Sequence, residues 1–271
     1  MDMKDKVKII EKWYKELGFP TEYDEQFYEL LNDEKNIPTD TFEEHEFVNS
    51  PETAGQNLIA YLYFAEALKE KYEEKGISYD VLKDTLYDLV ICTDRVYENT
   101  KKVGITGVAW MKLHFSFKLF RLGRLQFCMD GASMDIAEKG IAKGDPVLDV
   151  HIPRGDKLEI DDCYASFEEA ERFFAKYFPE YKYKWLTCHS WMLDETIRQF
   201  LKPTSNILKF QTLFEGVRPV KMDSILHFVF KSGANREELP NYEAKSDFAK
   251  KVKEYALSGG EFYNTLGVRP R

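Results

Sequence analysis

Two histidines, His151 and His189, are placed where they could carry protons during a reaction. His151 lies in segment 147–152, where apolar and polar residues alternate as along a half-buried strand, and His189 lies in a second strand-like segment, 183–191. If these strands are neighbours, both histidines lie near the strand ends where a cleft would open. An imidazole titrates near pH 6.5, which suits proton transfer at neutral pH. Catalytic roles are one interpretation for both histidines; the alternative, which fits the pattern equally well, is that each ring hydrogen-bonds backbone groups in the core.

Cys188 precedes His189 and raises the question of a thiol nucleophile. Adjacent residues of a strand point to opposite faces of the sheet, so these two side chains cannot form a dyad with each other. A thiol mechanism would need a distant histidine such as His151. We expect a small, buried core cysteine instead.

The other histidines and the cysteine spacing predict no metal or redox site. His45 lies in an acidic loop and is expected at the surface, whereas His114 and His227 have apolar neighbours and are expected to be packing residues. No two histidines have the i, i+4 spacing of a helical zinc site with a carboxylate. The four cysteines form no C-x-x-C pair, which argues against a zinc ribbon.

The charge of the chain is unevenly distributed. The net charge is −9, but residues 1–107 contain 13 Lys+Arg against 24 Asp+Glu, and the remaining residues contain 25 against 23. An acidic chain argues against nucleic acid or an anionic membrane as partner. No apolar run is long enough for a transmembrane helix, and residues 1–10 lack secretory-signal features, so a cytoplasmic protein is expected. The charge shift predicts two domains, 1–107 and 108–271.

The acidic part has the periodicity of helices. Apolar residues recur every three or four positions from Val7 to Leu17, and Gly18 follows as a stop signal. A second helix is expected to begin at Ser50-Pro51 and to end at Gly76, and a third to run from 78 to 96. This region therefore predicts a helical bundle domain.

The remaining part interleaves strand-like and helix-like segments, which predicts an α/β or α+β domain. Ser166 and Glu169 have the spacing of a capping box, so a helix is expected to begin at Ser166. Asp194 and Ser205 are expected to cap the next helices. The expected strands are 122–127, 147–153, 183–191 and 224–230.

Five ordered motifs of this region resemble one acyltransferase family. They are LGRLQF (122–127), VHIPRGDKL (150–158), TCHSWMLD (187–194), SNILKFQ (205–211) and FVF (228–230). In that family a helical N-terminal half precedes a GNAT-like C-terminal half. The resemblance implies an α+β protein with a helical bundle, a central, partly splayed sheet, and acyl transfer from acetyl-CoA or another acyl-CoA to a small-molecule acceptor, usually an amine. The acceptor would attack the thioester directly, with no metal.

The resemblance also implies where acyl-CoA would bind. In GNAT folds the fourth strand splays from the fifth, and its unpaired amides receive the thioester oxygen and the pantetheine arm; the candidate strands here are 147–153 and 183–191. The implied cofactor-binding residues are Val150, Ile152, Arg154, Gly155, Lys157, Ser190 and Asn206.

One segment departs from the GNAT pattern. The GNAT phosphate loop has a Gln/Arg-x-x-Gly-x-Gly/Ala pattern, but segment 154–165 contains one glycine and four acidic residues. A capping box at Ser166 would also use the amides that could bind phosphate. The alternative is therefore a catalytically inactive GNAT-like binding module that has lost the pyrophosphate loop. A connection that presents free amides would favour the enzyme.

Overall fold

The computed structural model describes residues 2–271 and divides into two compact units. The first unit comprises Met1–Leu122 with Pro153–Gly155, and the second comprises Gly123–Ile152 with Asp156–Arg271. The sequence places a boundary after residue 107, whereas the compact units divide after Leu122.

The first unit is mainly helical. The apolar residues that recur along its sequence lie on the buried faces of helices. In the first helix Ile10, Trp13 and Leu17 are buried, and Gly18 forms a left-handed C-cap. The elements are α1 (Met3–Leu17), α2 (Asp24–Asn32), α3 (Ala54–Lys75), α4 (Tyr79–Leu86), α5 (Asp88–Thr100), α6 (Val108–Phe115) and strand β1 (Leu119–Leu122).

The helix expected over 78–96 is in fact two helices, α4 and α5, that meet at Tyr87. The break directs Asp88 into a buried polar network. The Asp88 Oδ2 atom lies 2.9 Å from the His114 Nε2 atom and accepts a hydrogen bond from Trp110 Nε1 at 2.9 Å. His114 is buried, as its apolar neighbours predict, but its hydrogen bond with Asp88 also connects α5 to α6.

The second unit is built on a sheet. Its strands β2 to β6 pair in the order β2-β3-β4-β6-β5, in which β3 and β4 are parallel and the other pairings are antiparallel. Helix α7 connects β3 to β4, as a parallel pair requires. The elements are β2 (Leu125–Gly131), β3 (Pro146–His151), α7 (Ile160–Tyr177), β4 (Trp185–Ser190), α8 (Asn206–Gln211), β5 (Glu215–Lys221), α9 (Ser224–Val229), α10 (Asp247–Leu257) and β6 (Tyr263–Pro270).

Two predictions at the start of this unit are wrong. The expected continuous strand 122–127 is interrupted by a turn at Gly123, which adopts a left-handed φ of 65°, so Leu122 ends β1 and residues 125–127 belong to β2. The expected capping box is also wrong, since α7 begins six residues earlier, at Ile160, and Ser166 lies inside it. The Ser166 Oγ atom donates to the carbonyl oxygen of Asp162 and accepts from the amide of Arg124 at 2.8 Å, so this hydroxyl holds the turn against the helix.

The strand expected over 224–230 is a short helix, α9. Its residues Ile225 and Leu226 are buried in an apolar cluster with Val252 and Phe262. A short apolar run bounded by polar residues fits a buried helix as well as a buried strand, so periodicity alone does not distinguish them.

None of the described helices is both long and apolar enough to cross a membrane.

A close backbone approach in the first unit predicts the effect of one substitution. Gly104 has a φ of 154°, and a Cβ atom built there would lie 2.3 Å from the carbonyl carbon of Ala54. Neither atom can move without displacing the start of α3, so Gly104→Ala is expected to lower the free energy of unfolding by roughly 3 kcal/mol. Urea denaturation monitored by circular dichroism measures this change.

The matched control is Gly107→Ala, because a Cβ atom at Gly107 would meet its nearest neighbour at 3.9 Å. This variant is expected to stay within about 0.5 kcal/mol of the unsubstituted protein. Equal stabilities for the two variants would contradict the packing described for Gly104.

Candidate active site

The parallel ladder between β3 and β4 ends while both strands continue. Its last pair is Asp149↔Thr187. Beyond it β3 remains paired with β2 up to His151, and β4 remains paired with β6 up to Ser190. The two strands therefore diverge into a wedge, and across it no further β3–β4 pair occurs in the described chain. This is the partly splayed sheet that the family resemblance implies.

Six polar side chains share one face of the sheet at this wedge. Residues directly opposite in a ladder share a face, and side chains alternate along each strand. From the pairs Gln126↔His151, Cys128↔Asp149 and Asp149↔Thr187 the face can be followed across three strands. We call it the polar face: Gln126, Cys128, Asp149, His151, Thr187 and His189.

Asp149 is the centre of the polar face. Its Oδ1 atom accepts a hydrogen bond from Thr187 Oγ1 at 2.6 Å, and its Oδ2 atom lies 3.2 Å from His151 Nε2. The side chains of Asp149 and His151 are 22% and 29% exposed, so the pair is largely desolvated. A carboxylate that orients an imidazole in this way prepares the ring to accept a proton from a substrate.

The electrostatic environment raises the pKa of Asp149 above its ordinary value. Burial is the largest cause; the charge of His151 and the hydrogen bond from Thr187 oppose it. Asp130 raises the pKa further, whereas His189 lowers it and therefore lies within electrostatic range. The carboxylate thus depends on its hydrogen-bonding and charged neighbours to remain ionised.

The two histidines singled out by sequence lie at the diverging ends of their strands, on the polar face. His151 is the last residue of β3, and His189 is the penultimate residue of β4. His189 is exposed and pairs with Leu266 of β6 in the ladder.

Cys188 points to the opposite face of the sheet from His151. Its side chain is 1% exposed, and burial raises the pKa of its thiol well above the ordinary value. A Cys188–His151 dyad is therefore excluded by geometry, and Cys188 is a core cysteine, as the sequence predicts.

The implied cofactor-binding residues of the second unit fall around the wedge and beyond it. Val150 is buried in β3, and Ile152 follows the strand. Ser190 ends β4, and its Oγ atom accepts from the amide of Met192 at 3.1 Å. Asn206 begins α8, where Ser205 provides the predicted cap; Asp194 likewise caps the turn that follows β4.

The connection that follows β3 is shorter than the sequence suggests, because α7 begins at Ile160. The Arg124 guanidinium donates to the carbonyl oxygens of Lys157 at 2.9 Å and Asp156 at 2.8 Å, which holds this connection in place. Within the described residues the Glu159 side chain makes no capping hydrogen bond to α7. The first amides of the helix are therefore not used by a side-chain cap, although Asp161 and Asp162 add negative charge there.

Arg154 and Gly155 belong to the first unit. Arg154 makes a bidentate ion pair with Glu98, with nitrogen–oxygen distances of 2.7 and 2.9 Å, and this pairing raises the pKa of its guanidinium. Gly155 has a φ of 124°, a conformation that other residues rarely adopt.

Sequence reasoning missed four members of the polar face, among them Cys128, whose place on it is set by its pairing with Asp149. Asp149 carried a usable signal, since it lies two residues before His151 in an alternating strand and must share its face. Thr187 and Gln126 carried none, because their positions depend on strand register. Among the described residues no group of three His, Cys, Asp or Glu side chains is placed to hold a metal ion.

Comparison with known proteins gives a consistent result. The N-acyltransferase N-terminal domain family matches residues 4–117, and the GNAT-like C-terminal domain family matches residues 119–269. No curated protein sequence matches the chain.

Solved structures share the fold over nearly the whole chain. An acyltransferase in complex with decanoyl-CoA is 23% identical, with a TM-score of 0.75, covering 96% of this chain and 86% of its own. An acyltransferase mutant in complex with octanoyl-CoA is 21% identical, with a TM-score of 0.77; the match covers 96% of this chain and 87% of the mutant's chain. An acyltransferase in complex with decanoyl-CoA and teicoplanin is 21% identical, with a TM-score of 0.71; the match covers 98% of this chain and 85% of the acyltransferase chain.

These matches agree with the order of units in the structure and confirm the resemblance drawn from the motifs. Since the GNAT-like domain alone accounts for more than half of the sequence, the chain belongs to the acyltransferase family that joins an N-acyltransferase N-terminal domain to a GNAT-like C-terminal domain.

Proposed function

We propose that this protein transfers an acyl group from acyl-CoA to an amine by direct attack on the thioester. The observation that carries the proposal is the wedge between β3 and β4, which opens beside the Asp149–His151 pair. Direct transfer requires that both substrates meet in one cleft, with unpaired backbone amides for the thioester and a base for the amine.

The acyl-CoA would enter the wedge between the two strands. No residue of β3 after Asp149 pairs with β4 in the described chain, and backbone amides near Val150 and Ile152 would bond the pantetheine arm and the thioester oxygen. Ser190 borders the same wedge from β4. The solved structures of the same fold that contain decanoyl-CoA and octanoyl-CoA support an acyl-CoA substrate.

The start of α7 would bind the phosphates of coenzyme A. Helix amides that lack a side-chain cap attract anions, and Lys157 adds a positive charge just before the helix. Asp161 and Asp162 weaken this attraction, so the amides would carry most of the binding. Roles for Arg154, Gly155 and Asn206 stay predictions; the Arg154 side chain is already paired with Glu98.

The chemistry would use both histidines. His151, oriented by Asp149, accepts the proton of the amine as its nitrogen bonds the thioester carbon. The carbon–sulfur bond then breaks, and the leaving thiolate takes a proton from His189. The products are an amide and free coenzyme A, and each histidine completes the cycle by exchanging a proton with water.

The acceptor would be a small molecule with an amine. A solved structure of the same fold contains teicoplanin, which supports a small-molecule acceptor. The carboxylate of Asp149 supports an amine, because it favours a group that becomes cationic during attack.

The alternative function is a catalytically inactive GNAT-like binding module. The acidic residues at the start of α7 favour it, whereas the absence of a side-chain cap at this helix end, in the part of the chain that is described, favours the enzyme. Binding of acyl-CoA separates the two.

Titration calorimetry with acetyl-CoA, octanoyl-CoA and decanoyl-CoA tests the donor site. We expect at least one to bind and to stabilise the protein, by about 2.7 kcal/mol at a concentration 100 times its Kd. Lys157→Ala should weaken binding of that acyl-CoA but not of the matching acyl-pantetheine, which lacks the phosphates.

The matched control is Lys143→Ala, because Lys143 is an exposed lysine that precedes β3 and so lies toward the opposite end of the strand from Lys157. No binding of any acyl-CoA at millimolar concentration would rule out the transfer reaction.

Substitution of the two histidines tests the proton transfers. His151→Ala is expected to lower kcat by about 10²- to 10⁴-fold with unchanged affinity for acyl-CoA, and His189→Ala should also lower kcat. Release of free thiol from acyl-CoA, followed with a thiol reagent, gives both rates. His227→Ala serves as control, since His227 lies in α9 and accepts a hydrogen bond from Gly233. Unchanged rates for both site variants would remove them from the mechanism.

The pH dependence of kcat/KM tests the role of Asp149. Protonation of the carboxyl at low pH removes the charge that orients His151, so kcat/KM should fall on the acid side. Thr187→Val deletes a hydrogen bond that lowers the pKa of Asp149, so the fall should begin at a higher pH. Thr212→Val, at an exposed hydroxyl that bonds the end of α8, should leave the profile unchanged. Identical profiles for all three proteins would contradict a role for Asp149.

A further inference from the structure

Gln126 has a buried amide without a hydrogen-bond partner. Its side chain is 0% exposed, and neither its Nε2 nor its Oε1 atom bonds any described residue. It belongs to the polar face, directly opposite His151 in the ladder between β2 and β3. Side chains opposite each other in such a ladder have Cβ atoms about 5 Å apart, so Gln126 adjoins the proposed catalytic histidine.

An unpaired buried amide is costly. Burying a polar group without a hydrogen bond destabilises the folded state, and nearly all buried polar groups in folded proteins are paired. A leucine or methionine would fill this position without that cost. The amide is therefore explained by a partner that the described residues of the chain do not supply.

Gln211 shows how the same residue type is satisfied elsewhere in the second unit. It is also buried, and its Oε1 atom accepts from Arg198 Nε at 2.7 Å. Its Nε2 atom donates to the carbonyl oxygens of Met192 at 2.8 Å and Asp194 at 3.0 Å. This amide holds three segments together, which Gln126 does not do.

We propose that Gln126 binds a hydroxyl or carboxamide group of the acceptor, close to the amine that is acylated. This inference rests on the proposed function. The amide carries a donor nitrogen and an acceptor oxygen, so a neutral group that both accepts and donates can pair with both atoms. A charged group would leave one amide atom unpaired and would itself be desolvated at a fully buried position.

The position of Gln126 assigns it to the acceptor rather than to acyl-CoA. The wedge lies on the β4 side of β3, whereas Gln126 lies on β2, one strand spacing of about 4.8 Å away in the other direction. His151 lies between the two. A molecule whose amine meets His151 from the wedge thus extends its next polar group toward Gln126.

Access to Gln126 is by way of His151. Because Gln126 has no exposed area and the His151 side chain is 29% exposed, the bonding group must pass the imidazole. Only a small group, attached one or two carbons from the reacting nitrogen, satisfies both contacts. The acceptor class is therefore a β-hydroxy amine or an amino amide.

Thermal unfolding of two matched variants tests whether the amide lacks a partner in the free protein. Gln126→Met is expected to leave Tm unchanged or to raise it, because it removes two unpaired polar atoms. Gln211→Met should lower Tm by about 3 °C or more, because it removes the partner of Arg198 Nε and of two carbonyl groups. A fall of that size in Gln126→Met would show a stabilising partner and overturn the proposal.

Acceptor specificity tests what the amide binds. The probes are trans-2-aminocyclohexanol against cyclohexylamine for a hydroxyl, and glycinamide against ethylamine for a carboxamide, each with the tightest-binding acyl-CoA. In the unsubstituted protein kcat/KM should favour the polar member of one pair by at least about 10-fold more than in Gln126→Met, chiefly through KM. Comparing the two proteins with the same pair cancels the intrinsic reactivity of the amines.

The outcomes separate this inference from the proposed function. Loss of the kcat/KM preference for the polar amine in Gln126→Met, with unchanged Kd for acyl-CoA, supports the inference. The amine pair for which the preference is lost identifies whether Gln126 binds a hydroxyl or a carboxamide. Equal preferences in both proteins would overturn the inference and leave acyl transfer intact. Failure of the unsubstituted protein to bind any acyl-CoA would overturn both.

Discussion

The hydrogen bond from Thr187 to Asp149 is the interaction on which the candidate site depends. It joins the side chains of the last parallel pair of β3 and β4, at the point where the strands begin to diverge. Because one carboxylate oxygen is held by Thr187, the other is directed to His151 on the same face. The bond also opposes the burial that raises the pKa of Asp149. One contact therefore lies at the start of the wedge, helps to orient the imidazole and favours the charged form of the carboxyl beside it.

The sheet can open at this point because each diverging strand has a second neighbour. Strand β3 remains paired with β2 as far as His151, and β4 remains paired with β6 as far as Ser190. Backbone groups that face the wedge are left for a ligand, in the same way that an exposed sheet edge accepts an extended peptide. Strand β6 follows both β4 and β5 in sequence but lies between them in the sheet, so β4 has its second neighbour only when residues 263–270 have folded into place.

Prediction of the fold succeeded where a pattern was long or ended in a distinct signal. The apolar face of α1 with its Gly18 cap, and the alternating residues of β3, were identified because each repeat matches one backbone geometry. The strand predicted for segment 224–230 was wrong because a short apolar run can be buried equally well as a strand or as a helix. The capping role predicted for Ser166 was wrong for another reason. Its hydroxyl accepts a hydrogen bond from the amide of Arg124, which is remote in sequence, instead of capping its own helix.

The sequence by itself determined the two-part organisation, the family resemblance, and the alternation that puts Asp149 and His151 on one face of a strand. Those properties are local or compositional, so they can be read from residue order. Only the tertiary structure decided that Thr187 meets Asp149, that Gln126 lies opposite His151, and that Cys188 faces away from both. These relations depend on strand register, and a shift of one residue reverses the face of every side chain in a strand. Register is set by packing across the whole sheet, which no single segment of the sequence specifies.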